Sequence, residues 1–292
     1  MRFFVFERDN RRGLAVADKA GDFHGLLADD PRFPGDLSVL VERGPAELAR
    51  AGAVLLQGEP ISVADVTALP PFPGSQKIIC VGLNYVDHSQ EAGFEPPAYP
   101  TLFARFASSL VGHDTPIVRP LSSVQLDYEG ELAAVIGRGG RHIGKDVALD
   151  HVAGYSIFND GSVRDYQVKS PQWTIGKNFD ATGGFGPFFV TADELPAGAK
   201  GLTLQTRLNG EVVQRASTDD LIFDVVTLVS TISEAITLSP GDIIVTGTPA
   251  GIGWARSPQL FMKAGDVCEV EIDGLGILRN TIIDERTRDA AA

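Results

Sequence analysis

The chain is poor in the residues that build most cofactor and redox sites. Its 292 residues include two cysteines and five histidines. No Gly-x-Gly-x-x-Gly, Gly-x-x-x-x-Gly-Lys-Ser/Thr, Cys-x-x-Cys, His-Glu-x-x-His or Gly-x-Ser-x-Gly occurs. Dinucleotide, P-loop, zinc-protease and nucleophile-elbow chemistry each lose their main support. Basic charge is also short: 25 Lys and Arg stand against 38 Asp and Glu, a net charge of -13. Phosphate backbones and anionic membrane surfaces need a basic footprint, so neither is expected as a partner. No run approaches the ~20 apolar residues of a membrane span. The apolar run Phe3–Phe6 is far below the about 7–15 residues of a secretory segment, and a cytoplasmic location is the expectation. Cys80 and Cys268 lie in apolar, strand-like runs and read as small buried hydrophobes in a reducing compartment.

What is present suits a globular enzyme: 43% hydrophobic and 22% charged residues suffice for a core. Residues 1–59 read as a small N-terminal α/β domain, with two strand-like pieces and a helical stretch at Ser38–Ala51 in which Pro45 leaves one helix and two short turns equally open. Residues 60–76 carry prolines at 60, 70, 71 and 73 and form a linker. From residue 77 to 292, short apolar runs alternate with Gly, Pro, Asn and Asp. Asn209-Gly210 predicts a hairpin, and Asp219–Leu238 predicts the one long helix. Strands outnumber helices without βαβ alternation, which points to a strand-rich α+β fold on a large coiled sheet.

Three segments concentrate chemistry. In Leu126-Asp-Tyr-Glu-Gly-Glu-Leu, strand alternation places Asp127, Glu129 and Glu131 on one face, about 6.6 Å apart in succession. A divalent cation relieves their repulsion; a solvated edge strand accounts for them equally. The strand Gly154–Phe158 ends at Asn159-Asp160-Gly161, putting the Asp160 carboxylate at a strand end. Ser162 with Asp165 suggests a capping box, and Arg164 and Gln167 share a helical face. In Asn84-Tyr-Val-Asp-His, Asp87 caps a turn that sets His88 and Glu91 at i, i+3, either as a water-activating dyad or as incidental surface residues. Lys177, among apolar neighbours, either holds an anionic oxygen or snorkels to water. Thr248, in Thr246-Gly-Thr-Pro-Ala-Gly, offers a hydroxyl to a carboxylate or simply lies in a turn.

Taken in order, these pieces, with Gly176-Lys-Asn-Phe and Pro240-Gly-Asp-Ile-Ile-Val-Thr-Gly-Thr-Pro, resemble the fumarylacetoacetate hydrolase family from about Lys77 to Ile283. The resemblance implies a coiled mixed β-roll catalytic domain and a homodimer. It implies Glu129, Glu131 and Asp160 as ligands of Mg²⁺, with Mn²⁺ or Ca²⁺ as substitutes. It also implies His88 and Glu91 as the dyad, Lys177 in catalysis, and Arg164, Gln167, Thr248 and Tyr85 as substrate contacts. Gly161-Ser-Val163 departs from the bulkier residue and Ser-Ala often found there, which implies a wider pocket. The implied activity is hydrolysis of a C–C bond in a 2,4-dioxo acid (an acylpyruvate), giving pyruvate and a carboxylic acid. Decarboxylation or enol–keto isomerisation of a related 2-oxo acid is the alternative, and a cation-stabilised binding protein without turnover the rival from another class.

Overall fold

The computed structural model describes residues 1–87 and 97–286. A long mixed sheet runs through the molecule in the order Glu59–Ile61, Phe23–Leu27, Arg11–Ala17, Arg2–Arg8, Gly183–Thr191, Val152–Asn159, Gly130–Ile136, Ile243–Val245, Ile78–Gly82, Thr101–Arg105. Its central strands are almost continuously apolar because both faces are covered: Gly130–Ile136 is buried at every position. On one face, Leu40, Val41, Leu48 and Leu55 from the N-terminal helices pack with Cys80, Ala133 and Phe158. Pro45 starts the second of those helices, so the stretch predicted from Ser38 is the pair Leu37–Arg43 and Pro45–Leu55.

The other face is covered by a five-stranded sheet and by the helix Val225–Ala235. Val225, Leu228, Val229 and Ile232 are buried along that helix, each contributing on the order of 1.5–3 kcal/mol. The helix is shorter than the sequence reading. Asp224 caps it by accepting from the Thr227 N–H, while Thr218–Asp220 forms a separate turn capped by Ser217. Asn209 and Gly210, with φ of 55° and 83°, close the hairpin between Thr203–Leu208 and Glu211–Ser217. Cys80 and Cys268 are both buried.

Candidate metal and substrate site

Strand pairing assembles the acids. Gly130 lies opposite Asn159 and Glu131 opposite Phe158, so the residues flanking Gly130 meet the end of Val152–Asn159. Asp160 N–H donates to the Glu129 carbonyl at 2.8 Å, and Glu129 N–H donates to Asn159 Oδ1 at 3.0 Å. One carboxylate oxygen from each of Glu129, Glu131 and Asp160 lies within 4.8 Å of the others, and all three side chains are buried. An all-oxygen set of this kind suits a hard divalent cation.

Asp127 does not join them. Leu126–Asp127 and Gly130–Ile136 are separate strands in different sheets, which breaks the alternation the sequence suggested. Asp127 instead accepts from the Gly253 and Trp254 N–H groups and from Arg164 Nε at 2.8 Å. Nor does a capping box form: Ser162 pairs in a strand with Asp127 and donates to the Asp160 carbonyl, while Asp165 accepts from Ser123. Gly161 does not widen the pocket. A Cβ there would sit 1.9 Å from the Thr182 carbonyl, so glycine is what lets the two backbones approach.

Three buried cations surround the acids. Lys177, closing the short helix Thr174–Lys177, places Nζ 2.6 Å from Glu129 Oε2 and 2.6 Å from Asp160 Oδ2. Arg164 reaches Glu129 at 2.7 Å and Gln167 at 2.8 Å, and its Nη2 has no partner among the described residues. Burial disfavours the charged forms of Lys177 and Arg164, but the facing carboxylates more than reverse this, and both pKa values rise. Arg105, which sequence reasoning missed, sits 2.5 Å from Asp160 Oδ1. A charge ending the apolar strand Thr101–Arg105 reads as a solvated strand end, and only the three-dimensional pairing reveals its partner.

Glu131 is different. Its Oε2 accepts from the Gly247 N–H at 2.5 Å, and no cation bonds it among the described residues. Burial, reinforced by the charges of Asp160 and Glu129, pushes its carboxyl well above the ordinary range. Four buried carboxylates, counting Asp127, thus face three buried cations among the described residues. A divalent ion beside Glu131 would favour its anionic form.

Glu129, Arg164, Gln167, Lys177 and Thr248 line one pocket, walled by Val81, Phe103, Trp173 and Ile252. The Thr248 hydroxyl is engaged, donating to the Gly130 carbonyl and accepting from Gln214. Tyr85 is buried, with its hydroxyl unpartnered among the described residues; desolvation keeps it a neutral phenol. Val86 and Asp87 are helical, and the turn that Asp87 was expected to cap lies outside the described residues. His88 and Glu91 lie outside the described residues.

The family model for the C-terminal region of fumarylacetoacetate (FAA) hydrolase matches residues 77–283. An oxaloacetate tautomerase of Xenopus laevis, named as mitochondrial, is 40% identical over 290 residues, covering 97% of this chain and 90% of the relative. A human oxaloacetate tautomerase, FAHD2A, likewise named as mitochondrial, is 38% identical and covers 97% and 92%. Among solved structures, a fumarylacetoacetate hydrolase from Exiguobacterium antarcticum has a TM-score of 0.84 at 36% identity, covering 98% of this chain and 100% of that one. Maleylpyruvate hydrolase from Sphingobium sp. SYK-6, in complex with manganese(II) and pyruvate, has a TM-score of 0.80 at 28% identity, covering 98% and 100%. The mitochondrial names contradict the cytoplasmic location expected from the sequence, which is withdrawn. Lack of an apolar secretory run has no bearing on organelle addresses, which are amphipathic. Matched along more than half its length by the family model, and along nearly all of it by these relatives, the chain belongs to the fumarylacetoacetate hydrolase family.

Proposed function

We propose that the protein is a divalent-cation-dependent enzyme that interconverts the enol and keto forms of an oxaloacetate-like 2-oxo diacid. The observation that carries this reading is the buried set of Glu129, Glu131 and Asp160, of which Glu129 lines a pocket together with Arg164 and Lys177. Relatives named oxaloacetate tautomerase, 38–40% identical along 97% of the chain, favour this activity over others of the family.

Glu129, Glu131 and Asp160 would hold a Mg²⁺-class ion, which when bound supplies Lewis-acid stabilisation of charge gathering on the 2-oxo oxygen. The protein's own groups do the rest. Arg164 offers its unpartnered Nη2 to a substrate carboxylate, and Asp127, Glu129 and Gln167 fix the guanidinium plane. Lys177 adds positive charge beside the reacting oxygens. Val81, Phe103, Trp173 and Ile252 limit water around them. In the reaction the enol hydroxyl loses its proton, the C2=C3 double bond becomes C2=O, and C3 gains a proton. His88, oriented by Glu91, is proposed from the sequence to carry that proton.

A second reading, hydrolysis of an acylpyruvate with His88 and Glu91 as the water-activating dyad expected from the sequence, is favoured by the maleylpyruvate hydrolase neighbour. A second copy of the chain is proposed as its partner on the family resemblance, a state that light scattering reads directly. Two assays with Mg²⁺ separate the chemistries: decay of enol oxaloacetate, and release of pyruvate from acylpyruvates. Faster enol decay without pyruvate release supports tautomerisation. Pyruvate release with enol decay no faster than in buffer refutes it.

A further inference from the structure

Arg105 is built into the core with unusual completeness. Its side chain is fully buried beside Phe158, whose ring centroid lies 5.8 Å from the guanidinium carbon. Nε donates to Ser109 Oγ at 3.1 Å, one terminal nitrogen donates to Asp160 Oδ1 at 2.5 Å and the Gly161 carbonyl at 3.0 Å, and the other donates to Thr182 Oγ1 at 3.1 Å. A Cβ on Gly183 would fall 2.6 Å from that last nitrogen, so glycine leaves room for the guanidinium. The plane of Arg105 is therefore fixed, and through it the carboxylate plane of Asp160.

The same division recurs at each acid. Asp160 commits Oδ1 to Arg105 and turns Oδ2 toward Lys177. Glu129 gives Oε1 to Arg164, and Glu131 gives Oε2 to the Gly247 N–H. Each carboxylate thus has one oxygen held by an arginine or a backbone N–H, and Lys177 bridges the second oxygens of Asp160 and Glu129 at 2.6 Å each, the position for which a divalent ion would compete. This favours single-oxygen ligation, which suits the near-octahedral shell of Mg²⁺ or Mn²⁺ at about 2.0–2.2 Å. Calcium takes 6–8 oxygens at roughly 2.3–2.6 Å, often with two from one carboxylate.

We propose that Arg105 is a positioning residue that makes Asp160 a one-oxygen ligand and thereby sets the site's preference for small six-coordinate divalent ions over calcium. The proposal rests on the reading that the three acids hold a divalent cation.

The test titrates the chelator-stripped full chain with Mn²⁺ and, separately, Ca²⁺ by calorimetry, with Mn²⁺ binding repeated by electron paramagnetic resonance. Wild type is expected to prefer Mn²⁺. Arg105→Lys keeps the charge but not the planar fork, and Mn²⁺ affinity is expected to fall about 10–100-fold, as is typical when a ligand loses its orienting partner. Ca²⁺ affinity is expected to fall less, so the Mn²⁺:Ca²⁺ ratio shrinks. Thr182→Val removes one support of the guanidinium while leaving all charges, and is expected to shift the ratio the same way by a smaller factor. Folding of each variant is checked by circular dichroism. An unchanged ratio in both folded variants overturns the proposal, as does a wild type that binds Ca²⁺ at least as tightly as Mn²⁺. A wild type that binds neither ion overturns the underlying metal reading.

Discussion

Glu131→Gln is expected to act with opposite signs on the metal-free and metal-loaded protein. The carboxyl is buried with its charge unpaired among the described residues, and its pKa is raised by burial and by Asp160 and Glu129. In the unfolded chain it ionises in the ordinary glutamate range, whereas the folded metal-free protein retains the proton. The unfolded state then binds fewer protons than the native state, so stability falls as pH rises from that range toward the raised value. Each pH unit in this window costs about 1.4 kcal/mol. At roughly 2–4 °C per kcal/mol, typical of chains somewhat shorter than this one, that is about 3–6 °C per unit. Glutamine keeps the shape and an oxygen for the Gly247 N–H but has no proton to lose. The stripped variant is therefore expected to melt higher than stripped wild type at neutral pH and to lack this slope. Metal at 100 times its dissociation constant stabilises wild type by about 2.7 kcal/mol, or roughly 5–10 °C, and the variant is expected to lose most of that gain. Melting curves from pH 5 to 8, with chelator or Mg²⁺, read both effects. A variant that melts lower when stripped yet keeps the full metal-induced rise refutes the reasoning.

Other substitutions probe the supporting shell. Asp127→Asn leaves Arg164 short of a buried counter-charge, and denaturant titration is expected to show a loss of about 3–5 kcal/mol. Arg164→Lys removes the fork that spans Asp127 and Glu129, so kcat/KM for the 2-oxo acid is expected to drop about 100-fold, a loss readable from initial rates. Gly161→Ala drives a methyl group into the Thr182 carbonyl, and a stability loss of about 1–3 kcal/mol is expected by thermal melting.

Local rules reached part of the site and stopped where one strand gives way to another. Glu129 and Glu131 stood out because carboxylates in an apolar strand conflict with β propensity, a solvated edge being an equal reading, and only the family resemblance joined Asp160 to them as one set. The common face of Arg164 and Gln167 follows from helical spacing, and the hairpin from Asn209-Gly210. Asp127 was misplaced because alternation assumes one continuous strand, whereas two strands of different sheets follow one another there. Ser162 and Asp165 have capping spacing, but β pairing with Asp127 claims Ser162 first. Lys177 kept two readings and Arg105 was missed for a common reason. A long cation bordered by apolar residues looks the same whether it reaches water or a buried carboxylate 2.5–2.6 Å away. Glycine at 161 and 183 likewise gains its meaning only from the Thr182 carbonyl and the Arg105 guanidinium.

The central claim is that three carboxylates hold one divalent ion on which turnover of a 2-oxo acid depends. Its most direct measurement titrates stripped protein with Mn²⁺ while following bound metal and the rate of enol oxaloacetate decay in the same samples. The account predicts that the rate rises in proportion to occupancy and levels off at one ion per chain. Full turnover by the stripped protein, or a rate that stays flat as the ion binds, contradicts it.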